Sequence, residues 1–346
     1  MKRSIALVIV GIFIMVLAVC IGSNQAAADP QVRRLRTSMP TAFDESHGYT
    51  QAILSINRFL NEASGGTLEL ELFPGGQLGG EREVFESIQM GLIDAAIFNA
   101  PVLSGFTNIL DGFDLPFLWV NEYGEVDTEL HAAVVGSDFA REFLDRMEEI
   151  TGVRALGFLY NPGRDFFLNR PLNSLADAPS IKLRSMQAEI HMRMFAAMGF
   201  VPVPMAYGEI YNAMRTGVVD GFEDTALSAI IASTYEVSRY VIRSGHATAS
   251  PLLIISLRAW NSLTPEEQDM MMEAAKIGRQ ACYDTFAVAM PKAYEYLEAA
   301  GLIITRIDHA EAIAATQPVI DELRAQNPDF DAIYNYVQQV RASMRN

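Results

Sequence analysis

Between Val32 and Asn99 the sequence alternates strand and helix patterns, and that alternation restricts the fold more than any other feature. Val32–Ser38 is a strand pattern, the loop Met39–Ser46 follows, and a helical pattern fills His47–Ala63 until Gly65-Gly66 stops it. Thr67–Phe73 alternates polar and apolar residues as a strand does. Pro74-Gly75-Gly76 then turns the chain into a second helix with Val84, Phe85 and Ile88 on one face and Gly91 as its stop. Ile93–Asn99 closes the unit as a short buried strand. Strand, helix, strand, helix, strand is the grammar of an open α/β sheet, which places ligands at its strand ends.

A second α/β unit begins at Leu156–Tyr160, after a helical region expected over Tyr123–Glu149. Ser185 can cap a helix that buries Ile190, Met194 and Ala197, with His191 expected on its exposed face. Val218–Phe222 is a strand pattern that delivers Glu223 and Asp224 to its tip. Thr264-Pro265-Glu266-Glu267 combines a cap residue, a first-position proline and a third-position glutamate, a strong helix start. That helical pattern runs to Ala300, with a kink expected at Pro291, and is long enough to span two domains.

Met1–Ala28 reads as a secretory signal: Lys2 and Arg3, an apolar run from Ile5 to Ile21, and small residues at Ala26-Ala27-Ala28. Its removal leaves Cys282 as the single cysteine, so no internal disulfide can hold the fold. A chain of this length exceeds one comfortable core, so two domains are expected. The formal net charge of -16 and the lack of a basic patch argue against a nucleic-acid partner. His47, His131, His191, His246 and His309 are scattered without ligand spacing, and no nucleophile elbow or phosphate loop is present. The sequence therefore nominates no catalytic residue, metal or cofactor.

Two arginines stand out within this frame. Arg164 lies between the apolar runs Leu156–Tyr160 and Phe166–Leu168, and Arg184 ends Ile181–Arg184. A planar guanidinium at a strand end can grip a carboxylate with two parallel hydrogen bonds. Pairing with local acids such as Asp165 and Asp177 is the competing interpretation of the same residues.

Several motifs in fixed order carry a resemblance. They are PGGQLGGEREVFESIQMGLIDAA, DLPFLW, N-x-G-R, R-P-L-x-S-L-x-D, I-K-L-R, G-x-x-P-x-P-M-A-Y-G-E-I-Y, G-V-V-D-G and F-E-D. Over nearly the whole length after the signal, the chain resembles the extracytoplasmic solute-binding proteins of TRAP (tripartite ATP-independent periplasmic) transporters, the DctP-like family. The resemblance implies a bilobal, periplasmic-binding-protein-like α/β clamp, its two α/β domains joined by crossing strands and a long helix. Residues 29–160 with about 250–289 would form the N-terminal lobe, and 161–249 with about 290–346 the C-terminal lobe. It also implies a non-enzymatic periplasmic protein that passes a small organic acid to small and large membrane subunits; with no large exposed apolar face suggested by the sequence, a monomer is expected.

By the same resemblance, Arg184 forms the two-pronged bridge to the ligand carboxylate, Arg164 supplies a second arginine, and Tyr207 packs on the ligand. Glu81 and Asn99 match polar positions from the N-terminal lobe, and Glu223 and Asp224 lie in the F-E-D stretch. The family commonly has asparagine where this chain has Asp224. A second anion there would repel a ligand carboxylate unless Arg164 or Arg184 offset it, and as an acceptor it would suit hydroxyl or ammonium groups. A hydroxyl-rich acid such as a uronate or aldonate is therefore expected.

Overall fold

The computed structural model describes residues 32–121 and 124–345. The expected signal at 1–28 lies outside the described residues.

Two sheets organise the molecule. The first holds β1 (Arg33–Ser38), β2 (Leu68–Phe73), β3 (Ala95–Asn99), β4 (Val153–Phe158) and β10 (Pro251–Ser256) in the order β2-β1-β3-β10-β4. β1 pairs parallel with β2 and β3, and β10 runs antiparallel between β3 and β4. The second holds β5 (Asp165–Leu168), β6 (Lys182–Ser185), β7 (Val201–Pro204), β8 (Gly221–Asp224), β9 (Tyr240–Arg243) and β11 (Ile303–Arg306) in the order β11-β9-β5-β8-β6-β7. The central strands β10, β5 and β8 are buried at every residue, so their sequences PLLIIS, DFFL and GFED show no alternation.

Helices α1 (Gly48–Ser64) and α2 (Glu81–Gln89) flank the first sheet. α1 is capped by His47, whose ring accepts from the Tyr49 amide, and ends at Gly65 with φ 65°. The helical region expected over Tyr123–Glu149 holds two helices, α3 (Thr128–Val135) and α4 (Asp138–Thr151). Side chains able to cap decide this. Asp127 accepts from the Leu130 amide, and Ser137 accepts from Ala140 to start a new helix. α5 (Glu189–Ala197), α6 (Ile210–Arg215) and α7 (Ala226–Ile231) belong to the second sheet's surroundings, and α8 (Leu257–Ser262) follows β10.

α9 (Pro265–Ala299) is the long helix, 35 residues or about 50 Å. Thr264 Oγ1 accepts from the Glu267 amide while Glu267 accepts from the Thr264 amide, the reciprocal cap expected from sequence. The helix is continuous through Pro291. It packs against α1 of the first half and α7 of the second. The approach to α1 is close: a Cβ on Gly48 would stand 2.2 Å from the Phe286 ring.

The last two helices divide between the halves. α10 (His309–Gln326) lies against α5, whereas α11 (Pro328–Met344) crosses back onto α3 and the turn 111–114. Phe330, Ile333 and Val337 join the core of the first sheet. Residues 328–344 therefore pack with the first half, not with the second as the expected division of 290–346 had them. A further correction concerns His191, expected to be exposed: it is fully buried and paired with Asp114 of the aromatic loop 114–119. α5 is covered on that face by this loop, which its own periodicity could not reveal.

The chain passes between sheets through 159–164 and 244–250, and these crossings bond to each other. The Arg164 amide donates to Ala247 O at 3.0 Å, and the Ser244 amide to Asp165 Oδ1 at 2.9 Å. Ala249 and Ser250 hold positive φ (60° and 35°), a strained state fixed by burial and by Ser250 Oγ donating to Phe113 O at 3.1 Å. This tied crossing fixes the position of Arg164.

Candidate ligand-binding site

Antiparallel pairing of β5 with β8 sets Asp165 opposite Asp224 and Phe166 opposite Glu223. Arg164, one residue before β5, therefore reaches the tip of β8 from its neighbour. Arg164 Nε donates to Glu223 Oε2, Nη2 donates to the Glu223 carbonyl at 2.8 Å, and Nη1 lies 3.4 Å from Asp224 Oδ1. Arg184, in β6 beside β8, places Nη1 3.4 Å from the other oxygen of Glu223. Its Nε and Nη2 both donate to Met205 O, at 3.2 and 3.0 Å. Pairing with Asp165 or Asp177 does not occur: Asp165 turns to Tyr294 and Ser244, and Asp177 to Asn173.

Arg164, Arg184, Glu223 and Asp224 are all buried. Tyr207 is half-buried, and its hydroxyl donates to Asp224 Oδ2 at 3.0 Å. Across the cleft, Glu81 at the start of α2 accepts from Asn99 N at 2.7 Å and from Asn99 Nδ2 at 3.0 and 3.1 Å. Tyr49, which no sequence signal nominated, donates to Asn99 Oδ1 at 3.3 Å.

The expected residues thus surround one small cavity, lined by Arg164, Arg184, Asp224, Tyr207, Glu81 and Asn99, with Glu223 behind the guanidiniums. A cavity of about 370 Å³ adjoins it, sharing Pro40, Glu81, Arg184, Met186 and Tyr207. A cavity of about 600 Å³ lies elsewhere, along α9. Its arginines, Arg243 and Arg306, both pair with Glu125.

Electrostatics follow from burial and pairing. Burial works against the charge of Arg164, yet Glu223 and Asp224 more than offset it and raise its pKa. Burial lowers the Arg184 pKa, Glu223 opposes that, and Arg164 adds to it. Glu223 stays well below the usual carboxylate range because Arg164 overcomes the cost of burial. Burial raises both Asp224 and Glu81, against the pull of Arg164 on the first and of the Asn99 hydrogen bonds on the second.

A guanidinium carries five N–H donors. On Arg184 three are engaged, leaving one N–H on Nη1 and one on Nη2. These donors can engage a carboxylate. Two further polar atoms facing the small cavity are buried without a partner, Thr41 Oγ1 and Asn161 Oδ1. Neither was nominated from sequence, although Asn161 opens the N-x-G-R motif. The site is therefore equipped for an anionic group at Arg184 and polar groups around it.

Comparison with known proteins identifies the family. The family "Bacterial extracellular solute-binding protein, family 7" (DctP) matches residues 41–327. The sialic acid-binding periplasmic protein SiaP of Vibrio cholerae is 27% identical over 263 residues, 76% of this chain and 80% of that one. A TRAP periplasmic solute-binding protein from Xanthobacter autotrophicus, solved with bound β-D-galacturonate, is 26% identical. It superposes with a TM-score of 0.81 over 88% of this chain and 99% of its own. One from Bordetella, solved with density assigned to pantoate, is 27% identical, with a TM-score of 0.79 over 86% and 98%.

Proposed function

The chain belongs to the bacterial extracellular solute-binding proteins of family 7, and from this we propose that it captures a small, hydroxyl-rich organic acid for a TRAP-type transporter. The observation that carries the ligand class is Arg184, buried against the polar cavity with two of its N–H groups unengaged. The ligand carboxylate bridges Nη1 and Nη2 of Arg184. Arg164, clamped by Glu223 and Asp224, holds the β8 tip in place and adds positive potential. Glu81, Asn99, Thr41 and Asn161 meet hydroxyl groups, and Tyr207 packs on the ligand body.

The named ligands of the three relatives support this class, since galacturonate, pantoate and sialic acid each combine a carboxylate with hydroxyls. The two sheets act as lobes that close on the acid and present it to paired membrane subunits, with no turnover of the ligand.

A thermal-unfolding screen tests this. At about a hundred times its Kd a ligand adds roughly 2.7 kcal/mol, a shift of several degrees for a domain of this size. Uronates and aldonates should produce such a shift. Shifts with neutral sugars or organic cations, and none with acids, would overturn the proposal.

A further inference from the structure

Charge around the small cavity does not balance for an acid ligand. Three carboxylates, Glu81, Glu223 and Asp224, face two guanidiniums, Arg164 and Arg184. Adding a ligand carboxylate makes four anions to two cations in a buried place, where unpaired charge is strongly disfavoured. Compensation must arrive with the ligand, as a proton or as a cationic group on the ligand itself.

Hydrogen-bond roles decide which carboxylate could take a proton. Glu223 presents one oxygen to each arginine, so both are needed as anionic acceptors. Glu81 accepts three hydrogen bonds from Asn99, all of which require acceptor oxygens. Asp224 differs. Its Oδ1 accepts from the Thr225 amide at 2.8 Å, but the hydrogen-bond partner of Oδ2 is the Tyr207 hydroxyl, a group that donates or accepts with equal ease. Protonated at Oδ2, Asp224 would keep its bond to Thr225 and gain an O–H donor for the Tyr207 oxygen or the ligand carboxylate.

We propose that Asp224 engages the ligand as a neutral acid, so that binding an organic anion takes up one proton from solvent onto Asp224 Oδ2. This rests on the acid-binding function proposed above. No bond between heavy atoms forms or breaks; ligand anion, proton and protein combine in one complex.

The surroundings agree. Facing Asp224 are Arg164 at the head of β5, Glu223 on its own strand, Arg184 from β6, Tyr207, Tyr49 from α1 and Glu81 from α2. Asp165, its register partner, is turned to Tyr294 at 2.6 Å, and His47 lies beyond Ser228. Burial has already raised the carboxyl of Asp224; Arg164 opposes that and Glu223 adds to it. A ligand carboxylate would raise it further.

Calorimetric titration with D-galacturonate and D-glucuronate tests the proposal. Titrations between pH 5 and 8, in buffers of different ionisation heat, read proton uptake directly. For the wild-type protein, uptake should rise to near one proton, and affinity should fall by up to about tenfold per pH unit where it does. Asp224→Asn supplies a donor and an acceptor without titrating, so its uptake should be near zero and its affinity level with pH. Tight wild-type binding with no proton uptake would overturn the proposal, as would unchanged uptake in Asp224→Asn. So would tight binding of a zwitterionic amino acid without uptake. No binding of any acid at any pH would instead overturn the acid-binding function itself.

Discussion

Arg164 and Glu223 hold each other twice: Nε meets the carboxylate, and Nη2 donates to the backbone carbonyl of the same residue at 2.8 Å. Glu223 thereby locks the β8 tip to the crossing that carries Arg164, while its second oxygen lies 3.4 Å from Arg184 Nη1. One carboxylate thus keeps two buried guanidiniums from repelling each other. Glu223→Ala should cost about 3–5 kcal/mol of stability, the usual loss when one partner of a buried pair is removed. Urea unfolding of the variant measures this, and a loss under about 1 kcal/mol would contradict it. The sign with pH is that of a depressed carboxyl. Its contribution is complete above the unfolded value near 4.3 and is lost as pH falls towards the lower folded value.

Two buried histidines should make the fold weaken as pH falls. Burial lowers His47 to about 4 and His131 to about 3, and both are fully buried. The unfolded chain binds protons near pH 6.5 while the folded one refuses them. Their stabilising effect is therefore full above about 6.5 and falls as pH drops towards 4. The slope should approach about 1.4 kcal/mol per pH unit for each histidine. Urea unfolding at pH 7.5, 6 and 5 should show the decline, and equal stability at all three would contradict it.

Cys282 is buried on α9, its thiol pushed up to about 12 by burial. It should resist iodoacetamide in the folded protein and react once the chain is unfolded in urea, as mass spectrometry would show. Rapid alkylation of the folded protein would contradict this packing of α9 on α1.

Much of this arrangement was legible from sequence because local signals agreed. The cap at Thr264 and the terminating Gly65 mark helix ends through hydrogen bonds within a few residues. The family resemblance grouped Arg164, Arg184, Glu223 and Asp224 at one site, and the structure brings them together. What escaped depends on contacts distant in sequence. His191 is buried because residues 114–119 cover its face from 77 positions away. Tyr49 reaches Asn99 from the first turn of α1, and α11 returns to the first half, neither of which leaves a periodic trace. The role of Glu223 between two arginines also required the register of β5 with β8 and β6. Asp224 shows the same limit. The sequence raised the question of whether an arginine offsets it, and the structure gives it Arg164 at 3.4 Å, shared with Glu223.

The central claim is that Arg184 holds the carboxylate of an organic acid, and calorimetric titration of Arg184→Ala with D-galacturonate and D-glucuronate tests it most directly. Losing one partner of a buried charge pair costs about 3–5 kcal/mol, so whichever acid binds the wild-type protein should bind the variant at least about a hundredfold more weakly. Arg184→Lys should recover only part of that loss, because an ammonium lacks the fork. Affinity of Arg184→Ala within about threefold of wild type, in a variant that still unfolds cooperatively, would contradict the account.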